Sequence, residues 1–417
     1  MRDKHHLPEL LAPAGNLEKL KTAILYGADA VYVGGKQFSL RSRATNFKTR
    51  ELAAAVRYCH GNGVKLYVTV NIFAHNSDLN EIEDYLTELA ALHVDAVIIA
   101  DPGVLAIARR VIPLIPIHLS TQANVTNTAS AVFWQTQGVS RINLARELGY
   151  HAIREINAHT TIELEIFVHG ALCISYSGRC MLSSYLTGRD ANKGDCAHPC
   201  RYSYRLVEEK RPEEFFPVVE DDRGTYIFNS RDLCLLRQLP RLIAAGASSL
   251  KIEGRMKSVG YVGAAVRLYR TALDWIAKQR VEQVSLEEMV LPEVFTREMK
   301  KIGTRSFTEN FFDSPPSSED MLYDTMRVDQ DYAPVGIIIE TNPLVIEARN
   351  VMHCGDVIEY LSPGTIEPVL LKVVEMINRQ KERCTRVNPG DRVRLFTEPD
   401  MLSAVPRSIL RKNVRKK

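Results

Sequence analysis

The chain has 417 residues, too many for one ordinary hydrophobic core, so a large domain and a smaller one are expected. Hydrophobic residues make up 45% and charged residues 25%, the proportions of a globular protein in water, and a formal net charge of +3 selects no partner by bulk charge. No apolar run approaches the ~18 residues of a membrane span, and "MRDKHHLPELLAPAG" has no apolar leader core. A cytoplasmic protein with reduced thiols and no membrane partner is the expectation.

Short runs rich in Val, Ile and Leu alternate with stretches of helical period. "ELLAPAG" (9–15) precedes "NLEKLKTAILYGA", which sets Leu17, Leu20, Ile24 and Leu25 on one helical face. "ADAVYVGG" (28–35), "VKLYVTVNIF" (64–73), "DAVIIADPG" (95–103), "PIHLSTQANVTN" (116–127) and "RINLAREL" (141–148) follow, each trailed by a helical pattern. "IELEIFVHG" (162–170) enters a cysteine-rich stretch, and "SSLKIEGRMKS" (248–258) leads into "GYVGAAVRLYRTALDWIAKQ". Eight near-continuous apolar strands, nearly all followed by a helix, predict a (β/α)8 barrel over 1–310, with an insertion at about 171–225 after the seventh strand. An open doubly wound sheet is the alternative. It is disfavoured because no glycine-rich dinucleotide turn follows the first strand.

Residues 311–332 are rich in Ser, Pro and Asp and read as a linker. Beyond it the period becomes 2, in "APVGIIIE", "PLVIEARN", "DVIEYLSP", "EPVLLKVVEM" and "NPGDRVRLFTE". That pattern predicts a small antiparallel β-barrel of five strands over 333–406. The final "RSILRKNVRKK" (407–417) holds six basic residues and no acid, and reads either as a frayed end or as an arm that contacts nucleic acid.

Ligands of such barrels sit at the C-terminal ends of the strands. The pattern nominates Pro13 and Gly15, then Gly34, Gly35, Lys36 and Arg41, then Asn71, Asp101, Gln122 and Asn124. Arg146, His169, Glu253 and Arg255 complete the ring. Cations are in excess there, which suits an anionic ligand. Arg146 and Arg255 are favoured because each ends an apolar strand and an arginine fork matches carboxylates. These side chains are expected to end strands without filling the core. Asp101 has a rival role as an N-cap, with Pro102 at the first helical position. His169 reads as a proton donor or as support for a metal, and equally as a structural histidine.

Half of the eight cysteines fall in "EIFVHGALCISYSGRCMLSSYLTGRDANKGDCAHPCRYSY" (165–204), as Cys173, Cys180, Cys196 and Cys200. Zinc and an iron–sulfur cluster both accept four thiolates. The wide first spacing, C-x(6)-C, favours the cluster. Cys59, Cys234, Cys354 and Cys384 read as packing residues.

"LAPAGNLEKLKTAILYGADAVYVGG", "STQANVTN", the cysteine stretch and "LKIEGRMKS" resemble the collagenase-like peptidase family U32 over about 7–400. Despite the family's name, that resemblance implies oxygen-independent hydroxylation. The branch most similar in length and C-terminal barrel makes 5-hydroxyuridine at the wobble position of tRNA. It further implies a 4Fe–4S cluster on Cys173, Cys180, Cys196 and Cys200, and the dicarboxylate prephenate as co-substrate. Catalytic roles would fall to His169 and Glu253, and substrate binding to Arg41, Asn71, Gln122, Asn124, Arg146 and Arg255. A peptidase, a hydroxylation factor for ribosomal RNA or a ubiquinone precursor, and a zinc-stabilised RNA-binding protein are the alternatives.

Overall fold

A computed structural model describes residues 7–40, 46–172, 175, 179–201, 206–208, 211–216, 219–221, 224–226, 229–282, 284–303, 306–314, 321–322, 331–401 and 403–414. Eight parallel strands form the larger body: β1 (Glu9–Pro13), β2 (Ala30–Gly34), β3 (Lys65–Val70), β4 (Ala96–Ile99), β5 (Ile117–Leu119), β6 (Arg141–Asn143), β7 (Glu163–Gly170) and β8 (Ser249–Ile252). Each pairs with its successor, and β8 pairs with both β7 and β1, so the barrel closes.

Helices wrap the outside: α1 (Leu17–Leu25), α2 (Thr49–His60), α3 (Leu79–Ala91), α4 (Pro102–Val111), α5 (Thr128–Thr136) and α6 (Tyr150–His159). Further on come α7 (Leu182–Thr187), α8 (Leu239–Ala244), α9 (Val259–Val281) and α10 (Glu293–Lys300). Their starts are written locally. Asn16 accepts from Lys19 N at 2.9 Å, Asn127 from Ser130 N at 2.9 Å and Ser258 from Tyr261 N at 3.2 Å. Outward strand residues such as Val31, Val33, Leu66, Val68, Val97 and Ile99 bury against these helices. Because the strands are covered on both faces, they read as continuous apolar runs.

The insertion after β7 holds α7 and two antiparallel hairpins, Leu206–Glu208 with Arg211–Phe216 and Val219–Asp221 with Gly224–Tyr226. The chain returns through a short strand, Asp232–Cys234, which lies antiparallel to β7 and parallel to Phe307–Thr308. The expected linker starts too early at residue 311. Phe312 is 3% exposed in the barrel's core, and its carbonyl accepts from Tyr150 N at 2.9 Å.

The smaller body is a closed antiparallel barrel of six strands: β9 (Tyr332–Thr341), β10 (Leu344–Ala348), β11 (Val357–Leu361), β12 (Val369–Ile377), β13 (Arg392–Glu398) and β14 (Ile409–Asn413). Alternation is clear in β13, where Arg392 and Arg394 are exposed while Val393 and Leu395 are buried. The sixth strand corrects the basic-tail reading of 407–417. Ile409 and Leu410 are buried, and β14 pairs with β9 and β11. Arg411 is 4% exposed and ion-paired to Glu298 at 2.5 Å and Glu359 at 2.6 Å, and Lys412 bonds Asp356 at 2.7 Å. Residues 415–417 lie outside the described residues.

The two barrels share buried polar contacts. Tyr26 of α1 donates its hydroxyl to Leu361 O at 2.8 Å and accepts from Ile409 N at 2.9 Å. Arg267 of α9, 2% exposed, donates to Ser362 O and Ile366 O. Among the described residues no helix is long and apolar enough to cross a membrane.

Candidate functional site

Inward-facing side chains of the large barrel are unusually polar. Near its N-terminal end Arg141 of β6, 4% exposed, pairs with Glu9 at 2.5 Å, Glu163 at 2.7 Å and Glu165 at 3.6 Å. Burial opposes the Arg141 charge most strongly, yet Glu9 and Glu165 together hold its pKa above the ordinary value. His118 of β5 is pushed the other way, well below its ordinary value, by burial and then by Arg141 and Lys251.

One layer higher, Lys251 of β8 donates to Glu165 Oε1 at 2.7 Å and lies over the rings of Tyr32 at 4.6 Å and Phe167 at 5.3 Å. Lys251, Tyr32 and Phe167 form the floor of a pocket at the C-terminal mouth of the barrel. Arg146 stands on its wall, its guanidinium 4.0 Å from the Phe167 ring centroid and donating to Ala171 O at 3.1 Å. Its Nε is buried without a hydrogen-bond partner among the described residues. Glu253 lines the same pocket, and Tyr32 OH reaches its Oε2 at 3.3 Å and Ile252 O at 3.0 Å. Burial, then the Glu253 charge, raises the Tyr32 phenol well above its ordinary pKa, so it remains a proton donor.

Asn71 and Gln122 also line the pocket, joined at 3.4 Å from Nδ2 to Oε1, with Ser120 bonded to both. Arg255 is there as well, but in a role the sequence does not show. It is 3% exposed and donates to Ser39 Oγ at 2.8 Å, Thr69 Oγ1 at 3.2 Å and the Leu40 carbonyl. Gly34 makes room for it, since a Cβ there would overlap the guanidinium. The expectation that Arg255 stands clear of the packed interior is therefore corrected: it clamps the segment that leads into residues 41–45.

The insertion supplies the opposite wall. Cys180, Cys196 and Cys200 line the pocket with His198, and none is in a disulfide. Asn192 grips Cys180 through both its N–H, at 3.2 Å, and its carbonyl, at 3.1 Å. Arg179 Nε donates to Gln122 O at 2.7 Å, which ties the insertion to the strand-five loop. His198, at φ 60°, aims its N–H at Cys196 Sγ, 3.4 Å away. Among the described residues no three His, Cys, Asp or Glu side chains come together closely enough to hold a metal ion, and Cys173 lies outside the described residues. The donor chemistry fits a thiophilic cluster even so: three unlinked, half-exposed thiols face one pocket. Cys59 and Cys234 differ. Both are buried in the core, where burial pushes their thiols up to about 12 and about 11.

Pro13, Gly15, Gly34, Gly35 and Lys36 do not line the pocket, and neither do Asp101, Asn124 and His169. Asp101 caps α4, accepting from Gly103 N at 2.8 Å and Val104 N at 3.0 Å. Asn124 adopts the left-handed conformation, φ 55°, behind a turn of 3-10 helix. His169 is turned away from the interior. Lys251 pairs with Phe167 but Ile252 with His169, so β7 carries one extra residue there, a bulge. The imidazole consequently packs outward on Tyr269, Tyr261 and Phe307, 1% exposed, with Nδ1 3.3 Å from Tyr269 OH. Burial lowers its pKa to about 4. A catalytic His169 is thus replaced by a structural, neutral one. Arg41 lies outside the described residues.

Comparison with known proteins gives the family. The family model described as Peptidase family U32 matches residues 15–322. A tRNA hydroxylation protein of Bacillus subtilis is 40% identical over 85% of this chain and 84% of its own length. One from Escherichia coli is 35% identical, with 92% of each chain covered. The 23S rRNA 5-hydroxycytidine synthase of Escherichia coli is 35% identical over 81% of this chain but 51% of its own.

Proposed function

This chain belongs to peptidase family U32, and from that premise we propose that it hydroxylates tRNA, converting wobble uridine to 5-hydroxyuridine without molecular oxygen. One observation carries the reading: three thiols and the cations Lys251 and Arg146 line a single pocket at a barrel mouth. Relatives that span nearly the whole chain are tRNA hydroxylation proteins by name.

Cys173, Cys180, Cys196 and Cys200 would hold a 4Fe–4S cluster, which supplies one-electron chemistry at the pocket wall. Prephenate, a dicarboxylate, suits the cations. Arg146 offers an unpartnered buried Nε, and Lys251 a cation already desolvated and held by Glu165. Tyr32 and Phe167 exclude water beneath the ligand. Glu253 and the Tyr32 hydroxyl, 3.3 Å apart, form a carboxylate–phenol pair able to move a proton at the pocket edge.

Nucleoside mass spectrometry of tRNA from a deletion strain tests this. 5-Hydroxyuridine should disappear, return with the wild-type gene, and stay absent with Cys180→Ser, Cys196→Ser or Cys200→Ser. An unchanged nucleoside profile in the deletion strain would overturn the assignment. Iron content after anaerobic purification should fall in the same three variants and hold in Cys59→Ser. Equal iron in all four would remove the cluster from the proposal.

A further inference from the structure

Two cations expected of a C-terminal arm, Arg411 and Lys412, are paired within the fold, yet residues 372–398 carry seven Lys and Arg against four Asp and Glu, a net +3 equal to that of the whole chain. We infer that the hairpin following β12, together with the outer face of β13, is the surface on which an RNA strand docks. The inference rests on the tRNA reading above and names the part of the molecule that grips the nucleic acid away from the pocket.

The turn of the hairpin is fixed by its own hydrogen bonds. Met376 pairs with Cys384 and Ile377 with Arg383, and Asn378 N donates to Glu382 O at 3.0 Å across the turn. The Asn378 side chain accepts from Glu382 N at 2.9 Å and donates to Glu382 Oε2 at 3.0 Å. The tip's acid is thereby bonded at the root of the loop. Arg379, Lys381 and Arg386 are exposed, with no ion-pair partner among the described residues. Exposed, unpaired cations of this kind suit phosphates, whose counterions they release.

The adjoining sheet adds a second feature. Arg394 of β13 lies opposite Val345 on one side and Ile377 on the other, so Arg383, Ile377 and Arg394 form one outward row. The Arg394 guanidinium carbon sits 4.7 Å from the ring centroid of half-buried Phe396. A guanidinium stacked on an aromatic ring beside cations is a platform for an unstacked base, a feature of RNA loops.

The test uses the full chain, a tRNA transcript and binding measured across a salt series. Arg379→Glu with Lys381→Glu should weaken binding and reduce the log–log salt slope by roughly 1.4, about 0.7 for each single-strand phosphate left without its cation. Phe396→Leu should weaken binding about tenfold with the slope unchanged, as loss of stacking does. Arg50→Glu, on the exposed face of α2, should behave as wild type. Thermal melts establish that each variant is folded. If the wild type binds with a steep slope and the hairpin variant superimposes on it, the docking surface is elsewhere while the tRNA reading stands. If polyglutamate displaces the transcript at equal charge concentration, the face is a protein-docking surface and the inference fails. If the wild type binds no tRNA at low salt, both readings fall.

Discussion

The two barrels place their charges on opposite sides of their walls. The small barrel is filled by Val335, Ile338, Ile346, Met376, Leu395 and their neighbours, and carries its cations outside. The large barrel encloses Arg141, Glu165, Lys251 and His118, each 5% exposed or less. Taking charges out of water costs more than most ion pairs return, so an apolar filling of equal volume would serve stability as well or better. On the proposed function the charged interior serves the pocket above it, and the apolar interior belongs to a scaffold whose proposed RNA contacts lie on its surface.

The contrast is sharpest where a single buried partner is removed. Arg411→Ala takes one buried partner from Glu298 and Glu359 at the base of the small barrel, where both keep Lys301, at 2.9 and 2.8 Å. It should cost about 3 kcal/mol of unfolding free energy in urea titrations, the low end for a broken buried pair because Lys301 remains. Lys251→Met should cost a similar amount by leaving Glu165 with the more distant Arg141, 3.6 Å away, whereas Lys251→Met with Glu165→Leu should return close to wild-type stability yet lose tRNA hydroxylation. A double variant that folds and still modifies tRNA would break the assignment of the charged interior to function.

Acid offers a milder probe. Burial holds His169 neutral down to about pH 4, while the unfolded ring takes its proton near 6.5. The folded pKa is the lower one, so this stability is complete above pH 6.5 and drains away as pH falls toward 4. The loss is roughly 3 kcal/mol. His169→Met should remove that part of the pH dependence. Parallel stability curves for variant and wild type would contradict a neutral buried imidazole.

Smaller still is the effect expected at Arg146. Arg146→Ala should weaken binding of a dicarboxylate by about 1.5–3 kcal/mol in calorimetry, with little change in melting temperature because the side chain is half-exposed. Unaltered prephenate binding would remove Arg146 from the ligand site.

Much of this is legible in the sequence because parallel strands covered on both faces leave continuous apolar runs. All eight barrel strands, the insertion after the seventh and the Asp101 cap follow from such patterns. Lys251 is hidden for the same reason: it sits between Leu250 and Ile252, and an apolar-run reading averages over one inward charge. His169 is misplaced by pattern because a bulge changes which face a residue takes without altering composition. The strand Ile409–Asn413 reads as an arm because three of its five residues are polar. Arg411 needs Glu298 and Glu359, 113 and 52 residues away, to become a core residue. Arg255 looks like a ligand fork because its partners, Ser39, Leu40 and Thr69, lie about 200 residues earlier.

The Tyr26 hydroxyl, which donates to Leu361 O and accepts from Ile409 N, has a mechanical consequence. One phenol satisfies two buried backbone groups of the other barrel, so a relative rotation of the two bodies would orphan both at once. With Arg411 and Arg267 bonded across the same seam, the pair should tumble in solution with a single rotational correlation time. An RNA gripped at the basic hairpin would then meet the pocket at a fixed span, as on a caliper, so that the distance between the two would help choose which nucleotide is presented.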